Sequence, residues 1–341
     1  MSRARGHSNR PVAGTPGDRD LRQALGPILL EAGIEAPSEI RRRRSEYRTS
    51  FPLEELELTL GDGATLRLVF KRLDWQALTD EGRLAKPEFL HDPLREPAVY
   101  RSVLASAPLG PPRYYGSAAD PERDRHWLFI EWVDGRELFQ VGDLQLWEAA
   151  ARWLGAMHQP LADELDRHRA SGRLLEYDQA HYRGWAERAR RFAHAPGQPG
   201  PRAESIDRLV TRYEPAIEEL AAMPKTVIHG EFYASNVLVA GDSANPRVAP
   251  VDWELAAAAP GLVDLAALVS GGWSDDDREA IVSAYRSAIG PATFSARQLD
   301  LARLSLAVQW LGWTEPSWRP PAGQQHDWLG DGLALAERLE L

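Results

Sequence analysis

A chain of 341 residues exceeds one typical hydrophobic core and predicts two lobes or domains. Hydrophobic residues make up 43% and charged residues 26%, the balance of a soluble globular protein, and no apolar run approaches the length of a membrane span. The net charge of −10 argues against nucleic acid as a partner, and the absence of cysteine excludes disulfides and thiolate metal sites and fits a cytoplasmic enzyme.

Residues 1–18 are rich in Gly, Pro, Ser and Arg and predict a disordered arm, without the apolar core of a secretory signal. Residues 19–33 predict one or two short helical turns, interrupted near Gly26 and Pro27. The run Arg41-Arg42-Arg43-Arg44 reads as a solvated strand or sheet edge rather than a targeting or nucleic-acid signal. Residues 53–60 partly alternate apolar and polar, Gly61-Asp62-Gly63 supplies a tight turn, and residues 65–71 return as a second strand that ends on Lys71. Residues 93–104 predict a helix with Glu96 near its start, and Pro97 is tolerated only in the first turn. Residues 127–133 form a buried strand ended by Asp134-Gly135.

Beyond this point the periodicity is helical. Asp143 caps a helix whose apolar stripe contains Leu146, Trp147, Ala150, Trp153, Leu154 and Met157. Further helices are expected around residues 177–195 and 205–222, from Ser274 through Ile289, and from Ser295 toward Trp310. A strand-rich front and a helical back predict an α+β bilobal fold. Its small β-rich N-lobe spans residues 19–133 and its larger, mostly helical C-lobe residues 134–341.

The chemistry concentrates in two segments of the C-lobe. Val227-Ile228 leads into His229-Gly230-Glu231, with Asn236 five positions after the acid, and Asp252 follows in Val251-Asp252-Trp253-Glu254. One carboxylate facing an attacking hydroxyl, with an amide oxygen and a second carboxylate to hold Mg²⁺ against ATP phosphates, is the arrangement that phosphoryl transfer requires. Protein kinases space their catalytic-loop acid and Asn in the same way.

These residues resemble the aminoglycoside phosphotransferase and choline kinase superfamily, whose loop reads His-Gly-Asp-x-x-x-x-Asn and whose metal-binding Asp is often followed by Trp or Phe and then Glu. The resemblance covers roughly residues 40 to 315 and implies a kinase-like bilobal fold using ATP and Mg²⁺. It implies that Glu231, Asn236 and Asp252 are catalytic, with Asn236 and Asp252 as the metal ligands. Lys71 contacts the nucleotide phosphates and pairs with a helix Glu, here Glu96. Thr49 and Ser50 cover the phosphates, and backbone groups from Glu131 to Val133 meet the adenine. His229 and Asp264 brace the catalytic loop.

The chain departs from the family pattern in two places. Glu231 stands where the family has Asp, and the phosphate-covering segment, residues 45–52, has no glycine. The extra methylene of Glu leaves basicity intact but moves the carboxylate by about a bond length. Two readings remain open: an active phosphotransferase acting on a small hydroxylated acceptor (an aminosugar, an amino alcohol or a sugar), or a weak or inactive pseudokinase that binds nucleotide or a partner. Trp273, Trp310, Trp313, Trp318 and Trp328, with Asp275, Asp276, Asp277, Glu315 and Asp327, are the candidate acceptor wall; core packing and the helix dipole account for the same residues. The sequence sets no oligomeric state.

Overall fold

The computed structural model describes residues 16–45, 51–106, 109–198, 200–242, 245–290, 294–313 and 326–341. The chain divides into two compact units. The first contains the described residues up to Thr79 together with Tyr115–Trp132, and the second contains Asp80–Tyr114 and Val133–Leu341.

The first unit is a five-stranded sheet with one helix on it. Helix α1 (Asp18–Glu31) is followed by β1 (Glu39–Arg44), β2 (Leu53–Thr59), β3 (Thr65–Arg72), β4 (Tyr114–Asp120) and β5 (Arg125–Glu131). The spatial order is β1-β2-β3-β5-β4, and β2, β3 and β5 pair antiparallel, with Lys71 opposite Leu53 on one side and Leu128 on the other. Leu21, Leu25, Ile28 and Leu29 of α1 bury against Leu56, Leu58, Leu68, Phe70, Trp127 and Phe129. That packing corrects the expectation of broken turns. The helix runs through Pro27, because burial of a four-residue apolar face outweighs the backbone hydrogen bond that proline removes. The arginines of β1 lie on an edge strand and pair with acids: Arg42 with Glu54 at 2.7 Å and Arg43 with Glu55 at 2.6 Å.

The second unit is mostly helical. Its early part holds α2 (Asp80–Ala85) and α3 (Arg95–Ser102), with Pro97 in the first turn of α3. After β6 (Arg136–Glu137) come α4 (Leu144–Asp163), α5 (Leu165–Arg169), β7 (Leu175–Glu176), α6 (Gln179–Ala193), α7 (Gly200–Tyr213) and α8 (Ala216–Ala222). Then follow β8 (Lys225–Ile228), β9 (Val237–Ala240), β10 (Arg247–Pro250), β11 (Ala257–Pro260), α9 (Leu262–Leu268), α10 (Asp275–Ala288), α11 (Ala296–Trp313) and α12 (Trp328–Arg338). The short strands form two three-stranded sheets, β10-β9-β6 and β7-β11-β8, which carry the motif segments. Caps fall where the side chains predict them. Asp143 accepts the N–H of Gln145 at 3.0 Å, and Ser295 and Gln298 form a reciprocal capping box.

Residues 80–114 belong to the second unit because buried polar bonds tie them to the segment after Asp252. Lys86 forms a buried ion pair with Glu254. The Arg95 guanidinium donates to the carbonyls of Glu254 (2.6 Å), Arg173 (2.7 Å) and Leu90 (2.9 Å). Removing one member of a buried ion pair strands the other. Lys86→Met should therefore lower unfolding free energy by about 3–5 kcal/mol, and Lys86→Met with Glu254→Met should recover most of the loss; urea denaturation midpoints read both outcomes.

Candidate active site

The motif His229-Gly230-Glu231 leaves β8 and turns back within eight residues to begin β9. Two anchors shape this loop. The first is Asp264 on α9, whose carboxylate is fully buried. Its two oxygens accept the consecutive backbone N–H groups of His229 (2.6 Å) and Gly230 (2.9 Å), and Nε2 of His158 lies 3.3 Å away. His158 in turn meets the Tyr285 hydroxyl through Nδ1 at 2.9 Å. The second anchor is the His229 ring. Its Nε2 lies 2.8 Å from the Val251 carbonyl, which only accepts, so Nε2 carries the proton; Nδ1 is then the acceptor for the Glu231 N–H at 3.2 Å. The imidazole is therefore neutral and bridges the catalytic loop to the strand end that carries Asp252. It packs on Trp253, with ring centroids 4.5 Å apart.

Gly230 is required by this geometry. Its φ is +88°, and a Cβ there would run into the carbonyl oxygen of Leu255.

Beyond Glu231 the loop closes on itself. The Glu231 carbonyl accepts the Tyr233 N–H at 2.7 Å and the Asn236 Nδ2–H at 2.9 Å. Because the amide nitrogen of Asn236 is committed to that carbonyl, its Oδ1 faces away as an oxygen donor. The Asn236 carbonyl accepts the Val251 N–H at 2.9 Å, which sets Asn236 next to the turn of Asp252. Asp252 itself has φ 67° and ψ 59°, a left-handed conformation uncommon for a residue with a side chain and tolerated best by Asn and Asp. Glu96 on α3 accepts the N–H of the next residue, Trp253, at 3.3 Å. With the Arg95 and Lys86 bonds to Glu254, this fixes the three residues following Val251 from several directions.

Glu231 is half-buried, and its charge reaches the phenols of Tyr233 and Tyr177. Burial raises the phenol pKa of both tyrosines well above its ordinary value, and the Glu231 charge adds to the effect. The Tyr233 hydroxyl accepts the Trp310 indole N–H at 2.5 Å. Tyr177 stacks on His181 at 3.6 Å; burial pushes that imidazole down to about 3, so it is neutral and accepts the Trp185 indole N–H at 3.2 Å.

The remaining sequence candidates are distributed as follows. Lys71 is buried on β3 of the first unit, its ammonium 5.7 Å from the centroid of Phe51. Glu131 ends β5 in that unit, where the Arg67 guanidinium lies 3.3 Å over the ring of the adjacent Trp132; Val133 begins the second unit. Thr49, Ser50, Glu315 and Trp318 lie outside the described residues. Trp273 packs on Trp147 and is separate from Trp310, Trp313 and Trp328, which contact one another. Asp275 pairs with Arg278 and Asp327 caps α12, so these acids are engaged locally.

Sequence reasoning missed His158, Lys86 and Arg95. His158 is a polar residue on the buried stripe of α4, and Lys86 is one of three lysines in the chain; both signals were available. Arg95 has no such signal, because its role depends on which carbonyls the fold brings to it.

The family comparisons agree with this geometry. The profile of the phosphotransferase enzyme family (APH) matches residues 60–302, well over half of the chain. No curated protein matches the sequence significantly. Among solved structures, the chain is similar to a microcompartment-associated aminopropanol kinase (TM-score 0.61, 16% identity, 92% of this chain and 96% of that one). It is also similar to the macrolide 2'-phosphotransferase MphH from Brachybacterium faecium (TM-score 0.53, 18% identity, 84% and 90%). A third similar structure is APH(2")-IIia in complex with GDP and kanamycin (TM-score 0.53, 14% identity, 92% and 96%). At these identities the structures establish the α+β kinase-like fold. The profile match, across the segments that carry Lys71, His229, Glu231, Asn236, Asp252 and Asp264, establishes that the chain belongs to the phosphotransferase enzyme family.

Proposed function

We propose that this protein transfers the γ-phosphoryl group of ATP to a hydroxyl of a small molecule, with Mg²⁺. The observation that carries the reading is the convergence of Glu231, Asn236 and Asp252 through one hydrogen-bonded circuit, from Asp264 through His229 to Val251.

The donor set fits magnesium. Among the described residues no group of three or more His, Cys, Asp and Glu side chains is arranged to hold a metal alone. A hard cation that keeps waters and takes phosphate oxygens as ligands needs only one or two protein oxygens, which Asn236 Oδ1 and an Asp252 carboxylate supply. When bound, Mg²⁺ supplies positive charge against the phosphate oxygens. Lys71 adds a cation for the phosphates, Glu96 holds the turn after Asp252, and the backbone of Glu131 and Val133 is assigned to the base.

Glu231 orients the acceptor hydroxyl and takes its proton as the oxygen attacks the γ-phosphorus. The new O–P bond forms as the bond to the β–γ bridging oxygen breaks, and ADP leaves with that electron pair. The transition state is loose, so the carboxylate acts chiefly by placement. The loop pinned at His229 and Gly230 fixes the backbone from which the Glu231 carboxylate extends. The pseudokinase reading has that residue exchange as its motive, and it predicts no dependence of ATP turnover on Glu231.

Three kinetic outcomes follow, each read from ADP release coupled to phosphorylation of an acceptor hydroxyl. Asp252→Asn should abolish Mg²⁺-dependent turnover. Glu231→Asp, which retracts the carboxylate by about a bond length, should lower kcat by ~10²-fold, and Glu231→Gln should lower it further while ATP binding persists. Full turnover by Glu231→Gln would remove the carboxylate from the mechanism.

A further inference from the structure

Six aromatic rings of the second unit form a connected cluster that begins two residues past Glu231, with Trp328 branching from Trp310. Tyr233 lies 5.7 Å from Trp310 between ring centroids; Trp310 stacks on Trp328 at 5.5 Å and lies 6.0 Å from Trp313. Trp313 stacks on Trp185 at 5.3 Å, and Trp185 lies 5.7 Å from Phe89. Trp185 is buried in a small core with Leu90 and Leu255, against which Trp313 packs, so packing accounts for that part. Trp310, Trp313 and Trp328 are only half-buried, which leaves a partly wetted aromatic patch that starts near the candidate catalytic carboxylate, and Phe89 is exposed beyond the buried ring.

Two polar features decide what such a strip accepts. The Tyr233 hydroxyl uses a lone pair on the Trp310 indole N–H, and a phenol that accepts one bond still carries an O–H to give. Its own proton is thus offered as a donor. An ether, carbonyl or hydroxyl oxygen accepts that proton, whereas an ammonium group brings only hydrogens. At the far end the Arg188 guanidinium lies 5.2 Å from the centroid of Phe89 and 5.7 Å from that of Trp185, anchored through Nε to the Gly312 carbonyl at 3.0 Å. A fixed positive charge there opposes a polycation. Among the candidate acids, Asp275 pairs with Arg278, Asp277 bonds Ser274, and Asp327 caps its own helix.

We propose that this strip is the acceptor subsite and that it selects an uncharged, oxygen-rich ring compound of the glycoside class, stacked on Trp310 and Trp313, over aminosugars and amino alcohols. The inference rests on the phosphotransferase reading, and binding separates the two.

The experiment titrates the full chain with phenyl β-D-glucoside, kanamycin and ethanolamine, following intrinsic tryptophan fluorescence, and assays each for ATP-dependent phosphorylation. The glucoside should quench saturably, and Trp310→Ala and Trp313→Ala should each weaken its apparent Kd roughly ten-fold, the scale of one lost stacked ring. Tyr233→Phe, which preserves the ring, should shift preference from the glucoside toward the amines. Trp273→Ala, on a separate aromatic pair, should leave glucoside binding unchanged. Preferential binding and phosphorylation of kanamycin or ethanolamine, insensitive to Trp310→Ala, would overturn the inference while leaving a phosphotransferase. Glucoside binding lost in Trp310→Ala, with no phosphoryl transfer to any compound, would keep the subsite and remove the reaction. Saturable binding of none of the three would overturn the subsite.

Discussion

The buried carboxylate of Asp264 is the constraint on which the candidate site depends. A loop that leaves a strand and reverses at once exposes two consecutive N–H groups that no strand partner can satisfy, and leaving them unmet in the interior would cost several kcal/mol. Asp264 takes both, one on each oxygen, and His158 and Tyr285 extend the bonding into α4 and α10. Gly230 follows from the same requirement, because the backbone passes too close to Leu255 for any side chain. The direction of the loop carrying Glu231 is therefore set by Asp264, His158 and Tyr285 from behind it.

A second set of bonds fixes the turn at Asp252. Its left-handed backbone is not the resting preference of an acidic residue, so neighbours must hold it. His229 holds Val251 on one side, Glu96 holds the Trp253 N–H on the other, and Lys86 and Arg95 secure Glu254. Glu96 is the informative case. The family resemblance casts it as the partner of a strand lysine, and the structure shows in addition that it accepts a hydrogen bond next to the proposed metal ligand. Helix α3 and the turn at Asp252 are thus mechanically linked within one unit.

Much of this was legible in the sequence, and the failures have physical causes. The hairpin of β2 and β3, the edge character of the arginine strand, and the caps at Asp143, Ser274 and Ser295 follow from alternation, turn residues and capping chemistry, which are local. The His229–Asn236 loop and the turn at Asp252 stood out in the sequence by residue type and spacing, and the fold joins them through the His229–Val251 and Val251–Asn236 hydrogen bonds. Local reasoning failed where packing decided. Pro27 does not break α1, because the sheet beneath supplies the stabilisation, whereas Pro215 does separate α7 from α8, where a single long helix had been expected. Long-range pairs such as Lys86 with Glu254 carry no periodic signal. The candidate acceptor tryptophans divided in the same way: sequence placed Trp273 with the others, and the fold seats it on Trp147.

The proposed reaction requires that Asn236 and Asp252 hold a metal together with a nucleotide. The most direct measurement is electron paramagnetic resonance of Mn²⁺, a spectroscopic substitute for Mg²⁺, titrated into the full chain with and without the non-hydrolysable β,γ-imido analogue of ATP. Tight Mn²⁺ binding is expected only when the analogue is present, because two protein oxygens alone make a weak site, and it should be lost in Asp252→Asn. Mn²⁺ binding that ignores the nucleotide, or that survives Asp252→Asn unchanged, would contradict the assignment of the metal site and with it the proposed reaction.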